Sequence, residues 1–256
     1  MRYKQALKMS SSDFKRLYGV SQETFHKMIQ VVVEAKVGKR GCHSKLSIPD
    51  QILLTLQYLR EYRTFFHIAQ DFGVHESTAC RIVRRIEDVL IKEEEFHLPS
   101  QRQLQKDSTK IELIVVDVSE SEIERPKKKQ KLYYSGKQHC HTFKTQLIIN
   151  RLTREVIGTA FGQGRQHDFN LFKKSKITMM PWIEILADKG YQGINQYIKA
   201  SYTPYKKHKN KPLTPQQKKF NYHLNSVRVS LENVLGCLKT FRILSSRYRN
   251  RRKRFG

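Results

Sequence analysis

The chain has 256 residues, with 49 Lys or Arg against 23 Asp or Glu and a net charge of +26. That length allows one large domain or two small ones with a buried core, and a charge excess of that size repels itself and marks a polyanionic partner, nucleic acid ahead of an anionic membrane surface. No apolar run approaches the roughly 20 residues of a spanning helix, and the start MRYKQALKMSSSDFK has no apolar stretch behind its charges, so neither a membrane-spanning nor a secreted protein is expected.

The first hundred residues read as helical. SSSDFKRLYG offers a Ser/Asp start and a Gly stop. In the next stretch Ser21 is a candidate N-cap, and Phe25, Met28, Ile29, Val32 and Val33 fall on one face. SIPDQILLTLQYLREYR places Pro49 early in a helix, where its missing N–H is harmless, and sets Ile52, Leu53, Leu56 and Leu59 in a stripe.

In TFFHIAQDFGVHESTACRIVRRIEDVL, Phe66, Ala69 and Phe72 lead to Gly73, after which Val74, Ala79, Ile82, Val83 and Ile86 recur at helical intervals. A short helix, a Gly turn and a second helix make a helix-turn-helix pattern. Ser77, Thr78, Arg81, Arg84 and Arg85 lie on the polar side of the second helix, where a DNA reader presents groups to bases and phosphates. An ordinary helical hairpin with a solvated basic face has the same pattern; the net charge favours DNA.

Residues 96–110 are polar, contain Pro99 and lack periodicity, so they are expected to link a helical region at 1–95 to a second domain at 111–256. Beyond them the pattern turns to strands. IELIVVDVSE is a buried strand ending in acids, HTFKTQLIINRLTREVIGTAFG is two strands joined by a tight turn at 150–154, and WIEILADKGYQG is a strand ending in Asp and then Gly. A helix is expected over about 221–240. The four cysteines, Cys42, Cys80, Cys140 and Cys237, have no CxxC spacing and read as reduced thiols. GCH at 41–43 and HCH at 139–141 fit no common zinc spacing, so ordinary polar residues are expected there.

Two apolar runs lead into an aspartate, Asp117 and Asp188, and strand ends at the rim of a sheet are where ligands bind. The segment after Ser201 is strongly basic, yet keeps one carboxylate, Glu232, on a helical face with Arg228 and Lys239. Taken alone, Glu232 reads as a salt-bridge partner of Arg228. Three carboxylates from separate elements can also converge on Mg²⁺, which takes hard oxygen ligands. Asp168 is a rival carboxylate that reads more readily as an N-cap.

Taken together, the helix-turn-helix segment, VVDVSESEIERPK, KLYYSGKQHCHTFKTQLII, GQGRQHDFNLF, LADKGYQG and VRVSLENVLGCLKTFRILSSRYRNRRKRF resemble the DDE-superfamily transposases, close to the insertion-sequence-five group and its Harbinger relatives. The resemblance covers about 45 to 254. It implies an α/β fold, a ribonuclease-H-like mixed sheet flanked by helices and preceded by the all-helical region. It implies Asp117, Asp188 and Glu232 as ligands of two Mg²⁺ or Mn²⁺ ions, cleavage at transposon ends, and strand transfer into target DNA. A DNA-binding protein that no longer catalyses is the alternative. Arg228 and Lys239 would contact phosphates beside the site, and His167 and Asp168 are accessory candidates. The family's signature helix carries a Tyr where this chain has Asn225. The expected partners are double-stranded DNA and a second copy of the chain, with no membrane, and the expected location is the bacterial cytoplasm at the nucleoid. Relatives continue past RNRRKRF with another apolar segment, so a truncated or frameshifted copy is the expectation for an end at Gly256.

Overall fold

A computed structural model describes residues 2–37, 44–99, 111–175, 182–207, 212–250 and 255. Cys42 and the GCH stretch, most of the expected linker, and residues 208–211 lie outside the described residues. Two units emerge, one of Met1–His97 with Lys239–Ser246, the other of Leu98–Leu238 with Arg247–Gly256.

The first unit is helical: α1 (Tyr3–Ala6), α2 (Ser11–Tyr18), α3 (Gln22–Glu34), α4 (Ile48–Glu61), α5 (Phe65–Phe72) and α6 (Glu76–Leu90). Side-chain caps explain the starts. Ser10, Ser21, Ser47 and Thr64 each accept from the backbone N–H three residues on, satisfying donors a helix leaves open. Gly19 ends α2 with φ 82°, and a Cβ there would meet the Phe241 ring at 2.5 Å. Helix α4 is the centre of this unit. It packs against α2, α3, α5 and α6; Ile52, Leu53 and Leu54 are fully buried on it, as are Ile68 and Phe72 of α5 and Ile86 of α6. The α5–Gly73–α6 segment forms the expected two-helix pattern, with Gly73 at φ 60°. Two stripe residues differ from expectation: Val33 and Phe66 are exposed.

The second unit is built on a mixed sheet. Strand β1 (Leu113–Glu122) is central. A short helix α7 (Gln130–Tyr133) and strand β2 (Tyr134–Ser135) lead into the hairpin β3 (Cys140–Asn150) and β4 (Val156–Gln163). Helix α8 (Asp168–Ser175), β5 (Glu184–Ala187), β6 (Ser201–Tyr202), α9 (Pro215–Lys239) and α10 (Arg242–Ser245) complete the order; α10 belongs to the first unit. Strand β3 pairs antiparallel with β1 and with β4, whereas β5 runs parallel to β1 and β6 parallel to β5. This is a mixed α/β sheet, as the resemblance to the transposase family implies.

Both faces of the sheet are covered. Ile114, Val116, Ile148, Ile185 and Ala187 pack with Phe172 of α8 and with Tyr191. Val115, Leu147, Ile149 and Leu186 pack with Leu224, Val227 and Leu231 of α9. Two boundaries depart from the sequence reading. Strand β1 does not end at its aspartate but runs on to Glu122, since Ser119–Glu122 pair with Thr142–Thr145. Helix α9 begins at Pro215, not near 221. Thr214 caps it, exchanging hydrogen bonds with Gln217 at 3.0 and 3.2 Å, and Pro215 holds the first turn.

Candidate active site

Strand alternation places the first two acids. In β1, Val115 faces the α9 layer and Val116 the α8 layer, so the next residue, Asp117, turns toward α9. In β5, Leu186 faces α9 and Ala187 faces α8, so Asp188 also turns toward α9. The strands are parallel with Val116 opposite Ala187. The two aspartates are therefore the next rung of one ladder, on one face. Asp188 follows the last residue of β5 and opens the 3-10 turn Lys189–Tyr191.

Arg228 joins them. It sits on α9 beside the buried stripe of Leu224, Val227 and Leu231. Its Nη1 donates to Asp188 Oδ1 at 3.1 Å and its Nη2 to Asp117 Oδ2 at 3.4 Å. The side chains are 15 % exposed for Arg228, 22 % for Asp117 and 41 % for Asp188. Arg228 Nε is buried with no hydrogen-bond partner among the described residues. Asp117 also accepts from the Val118 N–H at 2.8 Å. Burial pushes the Asp117 carboxyl above its ordinary value. The Val118 N–H and then the Arg228 guanidinium pull it back, while Asp188 and Asp168 push it further up.

Glu232 lies one helical turn beyond Arg228, on the same flank of the buried stripe. It is exposed and makes no hydrogen bond or ion pair among the described residues. The structure thus brings Asp117 and Asp188 together through Arg228 and leaves Glu232 outside that polar contact. Its sequence reading as a salt-bridge partner of Arg228 does not hold, because the guanidinium turns to the aspartates. Among the described residues, no three His, Cys, Asp or Glu side chains gather closely enough to share a metal ion.

A divalent ion nevertheless fits the aspartate pair. Mg²⁺ is ordinarily held by one or two carboxylates with substrate phosphate and water completing its shell. Here two hard-oxygen donors face one side, and a cation, the Arg228 guanidinium, already bridges them.

The opposite face carries a second ionic cluster. Lys144 lies across from Glu120 in the ladder. Its Nζ donates to Asp168 Oδ1 at 2.8 Å and lies 3.7 Å from Glu120 Oε1, while Thr142 donates to Glu120 at 2.8 Å. Asp168 is therefore not the cap of α8. His167, which is exposed, stands in front of the helix, and its carbonyl accepts from the Leu171 N–H. A Cβ on Gly190 would stand 3.3 Å from Asp168 Oδ2, so α8 packs directly under the turn that bears Asp188. Tyr191, fully buried in that turn, is set edge-on against Phe172 and donates to Gln146 at 3.4 Å. Burial raises its phenol well above the usual range, and Asp168 and Asp117 add to the shift. Sequence reasoning passed over Lys144, Glu120 and Gly190. The signal available was a lysine in a strand whose apolar residues, Phe143 and Leu147–Ile149, mark it as part of the core.

In the helical unit, Ser77 lies in the first turn of α6 and is exposed, as are Arg81, Arg84 and Arg85; Thr78 is half-buried. His75 caps this helix. Arg81 folds back on the Ser77 carbonyl and Thr78 hydroxyl at 3.3 and 3.4 Å. Arg85 donates to Gln51 of α4, so part of its guanidinium is engaged within the fold. Lys239, the last residue of α9, is exposed. Asn225 is exposed on the same helix. The lysines of the 127–131 run are exposed, and Tyr133 and Tyr191 are buried packing residues.

A family model described as DDE superfamily endonuclease matches residues 116–255, and one described as helix-turn-helix of DDE superfamily endonuclease matches residues 44–93. The chain is 47 % identical over 258 residues to a protein named probable transposase for insertion sequence element IS702 from Microchaete diplosiphon, covering 100 % of this chain and 94 % of that protein. It is 25 % identical over 233 residues to a protein described as a transposase for insertion sequence element IS112 from Streptomyces albus G, covering 88 % of this chain and 83 % of that one. Among solved structures, a piggyBac transposase synaptic complex with hairpin DNA aligns over 80 % of this chain and 52 % of that one, at 14 % identity and a TM-score of 0.35. A likeness that distant supports nothing about this chain's chemistry.

Proposed function

Because the chain belongs to the DDE superfamily of transposase endonucleases, we propose that it cuts DNA at the terminal inverted repeats of its element and transfers the freed strand into target DNA. The observation that carries this reading is the adjacent rung of Asp117 and Asp188, two carboxylates on one face of parallel strands and bridged by one cation. Asp117 and Asp188 would hold the divalent ions, Mg²⁺ or Mn²⁺, and Glu232 would join them from one turn beyond Arg228. The ions, a pair in this reading, would supply charge neutralisation at the scissile phosphate and an activated water or 3′-hydroxyl.

The chain's own residues would do the rest. Ser77, Thr78 and Arg81 would reach base edges and phosphates from the start of α6, with Arg84 and Arg85 on the backbone beside them. Arg228 and Lys239 would hold phosphates near the catalytic acids, and the exposed lysines at 127–131 would add contacts without sequence preference. His167, exposed in front of Asp168, and Asp168 itself would serve as accessory groups beside the Asp188 turn. Residues 1–95 then act as the DNA-binding region, 96–110 as a linker and 111–256 as the catalytic domain. Joining two ends requires two active sites in one assembly, so a dimer on DNA is part of the reading, as is a location at the bacterial nucleoid.

The test is nicking of inverted-repeat DNA with Mg²⁺ or Mn²⁺ by the unmutated chain, Asp117→Ala and Glu232→Ala. Loss of cleavage in both variants with DNA affinity kept is expected. Cleavage equal in all three sinks the assignment. Tight DNA binding with no cleavage by the unmutated chain favours a DNA-binding protein that does not catalyse. The separation of Glu232 from the aspartate pair is the one observation on that side.

A further inference from the structure

Arg228 divides one guanidinium between two carboxylates, and neither contact is short. Its two contacts, 3.1 and 3.4 Å, are longer than the roughly 2.7–2.9 Å of a strong charge-assisted bond. Its Nε is buried without a partner among the described residues, although buried donors are nearly always satisfied. By contrast, Lys144 meets Asp168 at 2.8 Å and Arg247 meets Glu122 at 2.6 Å in the same unit. The charge count is also incomplete, with two carboxylates facing one guanidinium, so the patch stays net negative inside a chain of net charge +26. A phosphate approaching this patch meets repulsion until a further cation arrives. A divalent ion approaching it finds one oxygen of each carboxylate already engaged by Arg228.

We propose that Arg228 is an exchangeable counter-ion. Without a divalent ion it keeps Asp117 and Asp188 together. When an ion takes the two carboxylates, the guanidinium is released to a DNA phosphate, whose two oxygens can take its fork bidentately instead of one contact to each aspartate. Ion and DNA therefore bind cooperatively, each removing what opposes the other, and the coupling is reciprocal. The inference rests on the reading of Asp117 and Asp188 as ion ligands, and it assigns Arg228 a role in ion affinity beyond contact with DNA.

The test measures Mn²⁺ binding to the full chain by calorimetry, with and without a short duplex of arbitrary sequence. For the unmutated chain, the duplex tightens Mn²⁺ binding by about tenfold, a usual size for coupled sites. Arg228→Ala tightens Mn²⁺ binding by a similar factor without DNA, and the duplex then adds little. Arg228→Gln keeps hydrogen-bonding capacity without charge and gives the same comparison should the alanine variant fold poorly. Asp117→Asn removes the binding. If Asp117→Asn removes it but the Arg228 variants bind Mn²⁺ no more tightly than the unmutated chain, the counter-ion role is overturned while the ligand reading stands. If Asp117→Asn leaves Mn²⁺ binding unchanged, the ligand reading falls and this inference with it.

Discussion

Asp117 is ionisable, mostly buried and beside a second carboxylate. Its pKa is raised, first by burial, so folding favours its protonated form. The cost of carrying it as a carboxylate is present in full above the raised value. It shrinks as pH falls through that value and vanishes below the ordinary 3.8, where the side chain is protonated whether the chain is folded or not. Asp117→Asn is therefore expected to raise the thermal midpoint at pH 7 while abolishing cleavage, and to lose that advantage when melts are repeated near pH 3. A midpoint lowered at pH 7 would mean that the Arg228 contact outweighs desolvation. Much of this residue-level picture was legible in the sequence, since two apolar runs each closing on an acid pointed at Asp117 and Asp188. The role of Arg228 was not legible, because helical spacing pairs it equally well with Glu232 and only the tertiary fold sets the sheet beneath it.

At the scale of elements, the acids depend on how few residues hold β5 in place. The strand has four residues, and the turn after it rests on α8 and on the Lys144 cluster beneath. Lys144→Ala would leave Glu120 and Asp168 without their shared cation in a largely buried place, a loss of about 3 kcal/mol, read from denaturant melts. Activity per folded molecule should fall as well, because Asp168 lies against Gly190, two residues past Asp188. Gly164→Ala tests the far end of the same hairpin. The added methyl would run into the Thr142 hydroxyl and stand 2.5 Å from the Tyr133 carbonyl oxygen. Backbone cannot yield there as a flexible side chain can, so a cost of about 2 kcal/mol is expected in the same melts. The strands were easier to find than to bound. LIVV is buried on both faces, so it shows no alternation, and the polar residues after Asp117 look like a strand end. They pair with β3 instead, a partner that no local pattern names. The early start of α9 was legible in principle, since Thr214, Pro215 and Gln217 form a capping signal, but the polar residues that follow hide it from a hydrophobic count.

At the scale of the molecule, the charge itself makes a quantitative demand. Folding gains nothing from a net excess of +26, and self-repulsion makes that excess a cost. Its natural use is displacement of condensed counter-ions from DNA. Each phosphate neutralised adds about 0.9 to the slope of log affinity against log salt. A contact spanning six or more phosphates should weaken binding by about a thousandfold between 50 and 200 mM salt, measurable by fluorescence anisotropy on a labelled duplex. Single neutralisations divide the slope among residues. Arg81→Ala should lower it by about one unit, since its side chain is exposed and, among the described residues, held by contacts at 3.3 and 3.4 Å within its own helix. Arg85→Ala should lower it less, because that guanidinium already donates to Gln51, and it should cost stability instead. A slope near zero for the unmutated chain would show that the positive excess does not meet phosphate. Equal slopes for the Arg81 and Arg85 variants would show that the Gln51 contact gives way on DNA.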